Sequence, residues 1–484
     1  MTHIRHMPLP ALSPTRFRAV LDEPEYVRLQ DLIVRSVVEL RGRAVWSISS
    51  TGKGGGVVEL LRSLLAYARG AGIDSRWLVI EGDDDFFRVT KRLHNHLHGF
   101  EGDGGPLGPE EHAFYEATIA RNAEEIVPLI DPRDVVLLHD PQTAGLVDAI
   151  RATGAVAIWR AHIGLDLPNH LAREAWEFLR PYVASADGYV FSRRAFTWEG
   201  LDEDKVTIIA PSIDAFSPKN EDLSPAAVTG ILCAAGVLAD HGGDPLFTRS
   251  DGTPGRVDRE AVLVEETPLR PDNRVVLQVS RWDTLKDPIG VMRGFAEHVA
   301  PHCEAHLVLA GPSVEAVADD PEGRRVWQDS QAAWAQVRDD VRPRVHLASL
   351  PMGDGEENAA MVNALQRYAT VVVQKSLAEG FGLTVAEAMW KGKPVVASRI
   401  GGIQEQMVDG GTGILLDDPR DLAAFGSAVV RLLNDEEASR LIGAAGRERV
   451  RAHFLGPRHL GQYFDLIHRL IGRRAAARAA GERR

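Results

Sequence analysis

Glu379 and Glu387 stand eight positions apart across the turn Gly380-Phe381-Gly382, and their types and spacing say more about chemistry than any other residues in the chain. The apolar run from Tyr368 to Val373 reads as a buried strand before them, and Thr384 to Trp390 reads as the helix that follows. Glu379 then falls in the loop at the strand's carboxyl end, with Glu387 a turn or two into the helix. In open α/β sheets ligands lie in the crevice outside the carboxyl ends of the strands, and a helix amino terminus there favours phosphate. Two acids at such a place suit a ligand that offers both sugar hydroxyls and a diphosphate. The competing reading is an acidic loop beside a solvated helical glutamate.

Arg281 and Lys286 form the second constellation, in the stretch Ser280 to Pro288 directly after the apolar run Val275 to Val279. A planar guanidinium fork and a point-charge ammonium could clamp a diphosphate from two sides; two surface cations beside Asp283 and Asp287 would look the same. In the first half of the chain, Gly54-Gly55-Gly56 separates a short apolar run from a helical one, which lets backbone N–H groups approach a ligand. The loop lacks the Gly-Lys-Ser/Thr ending of a Walker P-loop. Val57 also replaces the last glycine of Gly-x-Gly-x-x-Gly, so a tight turn competes with a phosphate or sugar site. His162 and Asp140 each close an apolar run. A histidine at a strand's carboxyl end can bond a hydroxyl or stabilise developing charge, although a lone histidine is more often structural. The consecutive acids Asp83, Asp84 and Asp85 cannot all point one way, and a helix cap explains them better than a metal site, so no metal is assigned.

The elements that must hold these residues alternate in type. Apolar runs at 43–49, 75–81, 135–139, 156–162 and 188–192 are separated by helical patterns, as a parallel doubly wound domain requires. Residues 217–270 turn rich in Pro, Gly and Asp and read as a linker carrying an insertion. Alternation resumes with strands expected at 275–279, 306–310, 345–347, 370–374, 394–398 and 413–415. The predicted division is therefore 1–216, a linker at 217–270, a second Rossmann-like domain at 271–455, a helix at about 456–475 crossing back onto the first domain, and a basic tail at 476–484. A chain of 484 residues exceeds what one core usually serves.

Composition narrows the function classes. An apolar share of 44% and a charged share of 25% are those of an ordinary globular protein, and a net charge of -13 argues against general nucleic-acid affinity. Two cysteines, Cys233 and Cys303, make neither a disulfide framework nor a metal set, which fits a reducing cytoplasm. No apolar run reaches membrane-spanning length, and Met1 to Pro14 lacks the apolar core of a secretory leader.

Taken together, Ser49 to Val57, Val79 to Lys91, His139 to Gln142, Trp159 to Ile163, Gln278 to Pro288 and Glu379 to Glu387 resemble glycosyltransferase family 4. Within it they are most similar to the branch of trehalose glycosyltransferring synthases and trehalose phosphorylases. The resemblance implies the GT-B architecture, two Rossmann-like α/β domains facing a central cleft, and a retaining hexosyltransferase. It implies a nucleoside diphosphate glucose as co-substrate, of unspecified base, and no essential Mg²⁺. Arg281 and Lys286 would hold the diphosphate, with Phe381, Gly382 and Leu383 facing the phosphates, Glu379 on a glucose hydroxyl and Glu387 on the ribose. Gly54, Asp140 and His162 would hold the acceptor, and Gly55 and Gly56 would reach toward the donor. His162, Glu379, Arg281 and Lys286 are the expected catalytic group. The implied reaction joins glucose to glucose as α,α-trehalose. A phosphorylase, another acceptor, or a sugar-nucleotide-binding regulator without turnover are the rivals. Small sugars are the expected partners, without nucleic acid or membrane, and with a homodimer left open.

Overall fold

The structure, a computed structural model, describes residues 4–52, 55–239, 242–314 and 321–481. It divides into unit 1, Met1–Ser212 with Leu455–Arg484, and unit 2, Ile213–Phe454.

Unit 1 is built on a seven-stranded sheet of β1 (Arg5–His6), β2 (Ala44–Ser49), β3 (Asp74–Val79), β4 (Val135–His139), β5 (Val156–Ala161), β6 (Gly188–Phe191) and β7 (Val206–Ile208), in the order β1-β3-β2-β4-β5-β6-β7. Only β1 runs antiparallel, along the outer edge of β3. β2, β4 and β5 are buried along their whole length, as a sheet covered on both faces demands. The core clusters the large aromatics Trp46, Trp159, Phe86, Tyr115, Tyr189 and Phe191. Asp134 anchors the start of β2, accepting from the Ala44 amide at 2.8 Å and the Trp46 indole at 2.9 Å. The helix Gly456–Gly481 packs on unit 1 beside the helix Gly56–Gly70.

Unit 2 carries two small strands, β8 (Leu246–Thr248) and β9 (Pro254–Arg256), which pair with each other. Its main sheet comprises β10 (Val262–Val264), β11 (Arg274–Val279), β12 (Ala305–Pro312), β13 (Val345–Leu350), β14 (Val371–Gln374), β15 (Val395–Ser398) and β16 (Ile414–Leu416), in the order β10-β13-β12-β11-β14-β15-β16. The last six form the doubly wound 3-2-1-4-5-6 arrangement, all parallel. Both units are Rossmann-like and the architecture is GT-B.

The segment 217–270, expected as a linker with an insertion, is folded into unit 2. The helix Pro225–Ala234 packs on the helix Gly355–Tyr368, and β10 adds an antiparallel edge to β13. Strands of three residues give almost no periodic signal, which is why the segment reads as irregular in sequence. Glu265, just after β10, meets His346 Nδ1 on β13 at 2.7 Å and ties that edge down. Among the described residues no helix is long and apolar enough to cross a membrane.

Candidate functional sites

In each unit the expected residues lie past the carboxyl ends of strands at, or next to, the point where the sheet order reverses. In unit 2 those strands are β11 and β14, which pair through Val276 and Val371. The loop after β11 carries Arg281 and Lys286; the loop after β14 carries Glu379. The structure brings two of these together: Lys286 Nζ lies 2.6 Å from Glu379 Oε2, with both side chains largely buried. Gln278 at the end of β11 fixes the first loop by donating to the Lys286 carbonyl at 2.7 Å. Ser376 donates to Glu379 at 3.3 Å.

Arg281 stands apart from that pair. It is 63% exposed and meets Asp283 at 3.2 Å. Phe381 is buried, and Gly382, in the left-handed region at φ 77°, caps the helix Leu383–Trp390 and opens its amino-terminal N–H groups. Gly401 packs against the same loop so closely that a Cβ there would stand 1.9 Å from the Glu379 carbonyl oxygen. Glu387 is buried in the helix and faces cations: Lys219 at 3.9 Å and Lys391, whose ammonium burial disfavours. Lys391 donates to Asn220 at 2.9 Å. Lys219 and Asn220 come from the stretch expected as a linker, so sequence alone offers no signal for this neighbourhood.

In unit 1 the reversal lies between β2 and β4. Gly55, at φ 80°, caps the helix Gly56–Gly70, and a Cβ on it would meet nothing within 4 Å. The backbone angle, not space, therefore calls for glycine there. Gly54 lies outside the described residues. Asp140, directly after β4, takes φ 64°, and its carboxylate accepts the His162 amide at 2.8 Å. A non-glycine residue held in that region marks strain kept by its surroundings. His162 in turn meets His139, which opens the motif His139 to Gln142 but carries no assigned role there: His139 Nδ1 lies 3.0 Å from His162 Nε2. Arg160 is fully buried beneath, donating to the Ile209 carbonyl at 2.8 Å and the Ser192 hydroxyl at 3.1 Å. His459 of the long helix bonds Ser212 at 2.9 Å.

Burial governs the charges in this cluster. It pushes His139 down to about 3 and His162 and His459 well below the usual imidazole range, with the Arg160 guanidinium adding to the effect. The same burial lifts Asp140 to about 6 against the opposing His162 amide and Arg160 charge. The result is a set of neutral imidazoles that can donate or accept hydrogen bonds without carrying charge. Asp83 caps the helix Asp84–Leu97 and pairs with Arg121, while Asp85 pairs with Arg88. Among the described residues no group of three or more His, Cys, Asp or Glu is placed to hold a metal ion.

Comparison with known proteins supplies the family frame. Residues 47–198 match the family described as the trehalose synthase N-terminal domain, and residues 261–449 match glycosyl transferases group 1. The trehalose synthase of Rubrobacter xylanophilus is 36% identical, over 94% of this chain and 96% of that one. A trehalose phosphorylase of Pleurotus pulmonarius is 26% identical over 86% of this chain, which spans only 56% of the fungal protein. Among solved structures, an α,α-trehalose-phosphate synthase from Burkholderia xenovorans superposes with a TM-score of 0.64 at 15% identity. That match covers 88% of this chain and all of that one, and it shows the shared fold.

Proposed function

The chain belongs to the trehalose synthase family of group 1 glycosyltransferases, and from that premise we propose that it moves glucose from a nucleoside diphosphate glucose to free glucose, with retention, to give α,α-trehalose. It is a hexosyltransferase that makes trehalose. The phosphorylase reading fits less well, because the fungal phosphorylases are more distant and much longer. The observation that carries the donor assignment is the Lys286–Glu379 pair at the strand reversal of unit 2, beside the open helix terminus at Leu383.

In this reading Lys286 and Arg281 take the diphosphate, together with the N–H groups at Phe381, Gly382 and Leu383. Departure of the diphosphate leaves oxocarbenium character on the sugar, and the cations and helix terminus stabilise the leaving charge. Glu379 exchanges its ion pair for a glucose hydroxyl and orients the donor; it is not a nucleophile. Glu387 takes the ribose. Asp140 and His162 take the acceptor, with His162 neutral and therefore able to bond a hydroxyl in either sense. The departing phosphate helps deprotonate the acceptor on the same face. Gly55 and Gly56 are assigned to the donor by family likeness, supported by the left-handed cap at Gly55.

A content of only two cysteines, Cys233 and Cys303, and the sugar-nucleotide donor support a cytoplasmic setting. A homodimer is the assembly we propose, supported by the exposed Val27, Val34 and Val38 along one face of the helix Glu23–Glu39; sedimentation velocity measures it. The test of the activity is incubation with glucose and each common nucleoside diphosphate glucose, with NMR detection of a 1,1-linked disaccharide. Trehalose from at least one donor is expected. No trehalose from any donor, with turnover of trehalose and phosphate instead, would establish the phosphorylase.

A further inference from the structure

We propose that Asp287 and Lys375 are positioning residues of the sugar-nucleotide site, whose part-buried ion pair sets the distance between the loop bearing Lys286 and the loop bearing Glu379. The inference rests on the donor reading of that site. Lys286 and Asp287 are consecutive, and they reach across to residues of opposite charge on the other loop. Lys286 meets Glu379 at 2.6 Å, and Asp287 meets the Lys375 ammonium. Between these two ion pairs the Leu377 amide donates to the Leu285 carbonyl at 2.7 Å. Exchanging the partners would set ammonium against ammonium and carboxylate against carboxylate, so the charges admit one pairing of the loops.

Each member of the pair has a further partner. Lys375 is fully buried and also donates to the Pro419 carbonyl at 2.7 Å. Asp287 adopts φ 51°, caps the helix Pro288–His298 and accepts from the Gly290 amide at 3.1 Å. Apolar replacement of a buried ion pair commonly leaves a protein as stable or more so. What charge adds here is geometry. On one side Asp287 and Lys375 border an open pocket of about 310 Å³, where apolar contact between the loops is interrupted. A left-handed aspartate is likewise a strained choice unless its side chain is in use. Neither residue needs to touch the donor: they act through their neighbours.

The experiment compares wild type, Asp287→Asn, Lys375→Met and the double variant. Asparagine tolerates the left-handed backbone and keeps the capping oxygen while losing the charge; methionine keeps an unbranched apolar stem. The readouts are kcat, KM for each substrate, the nucleoside diphosphate Kd by calorimetry, and Tm. Each single variant is expected to raise the donor KM and the nucleoside diphosphate Kd at least tenfold, with the KM for glucose within twofold of wild type. The double variant is expected to recover Tm but not donor affinity, which separates positioning from stability. Should a single variant fail to fold, the double decides. Donor affinity within twofold of wild type in the singles, or restored with Tm in the double, overturns the inference. A wild type that binds no nucleoside diphosphate sinks the donor reading itself, and the inference with it.

Discussion

Lowering the pH should loosen unit 1, by an amount that its buried histidines set. In an unfolded chain His139, His162 and His459 would protonate near the ordinary imidazole value of about 6.5. In the folded unit they stay neutral far below it, with His139 at about 3. Groups with a depressed folded pKa contribute stability above the unfolded value and lose it as the pH falls. Asp140 works the other way: raised to about 6, it holds a proton in the folded state between roughly pH 4 and 6 that the unfolded carboxylate lacks. Three histidine protons less one aspartate proton leave about two taken up on unfolding across that window. At about 1.4 kcal/mol per proton and pH unit, the loss from pH 6 to pH 4 is roughly 5 kcal/mol, comparable to the whole stability of a modest domain. Hydrogen exchange of peptides covering β4 and β5, corrected for intrinsic rates, reads the opening free energy of unit 1; peptides covering β11 and β14 read unit 2 alongside. Replacing His459 by Leu should reduce the slope by about one proton. A change below about 1 kcal/mol in unit 1 between pH 6 and pH 4 would refute the reasoning, because it would mean that these imidazoles hydrate or find counter-charges on protonation.

Three further outcomes are expected. Glu379→Gln should lower kcat by about 10²–10³ while leaving the nucleoside diphosphate Kd near wild type, since it removes orientation of the transferred sugar rather than the phosphate contacts; initial rates with both substrates varied distinguish the two. Glu387→Gln should raise the donor KM about tenfold and lower Tm as well, because Lys219 and the buried Lys391 lose their counter-charge; equal, purely kcat-borne defects in the two variants would contradict the donor clamp. The Ser75 hydroxyl is buried without a partner among the described residues and borders an apolar cavity of about 50 Å³, so Ser75→Val should raise unfolding stability by about 1 kcal/mol, measured by denaturant melts.

Much of the fold is legible because fully buried parallel strands write continuous apolar runs, as Val135–His139 and Val371–Gln374 do. Glu379, Lys286, Asp140 and His162 are legible for a related reason: each lies in the segment that leaves the carboxyl end of such a run, where a parallel sheet presents its ligands. What stays hidden depends on pairing across distance. β1 has two residues and β10 three, too short for any period, and both exist only through an edge already built. Lys375 reads as one more polar residue in a loop, since nothing nearby announces that Asp287 lies against it. The partner of His162 is hidden likewise, because His139 ends a different strand and only the register of β4 on β5 sets the two rings together.

The discontinuity of unit 1 has a consequence for biosynthesis. Its sheet is complete in sequence by Ile208, yet the helix Gly456–Gly481 is translated only after the 242 residues of Ile213–Phe454. At 5–20 residues per second that interval is roughly 12–50 s. Throughout it, the apolar side chains of Leu61, Leu64 and Val45 lack the Leu460, Phe464 and Ile467 that later enclose them, and Ser212 lacks His459. Unit 2, contiguous in sequence, can finish while unit 1 waits on the ribosome with an unroofed greasy flank. That flank is where a nascent-chain chaperone would find its longest-lived target.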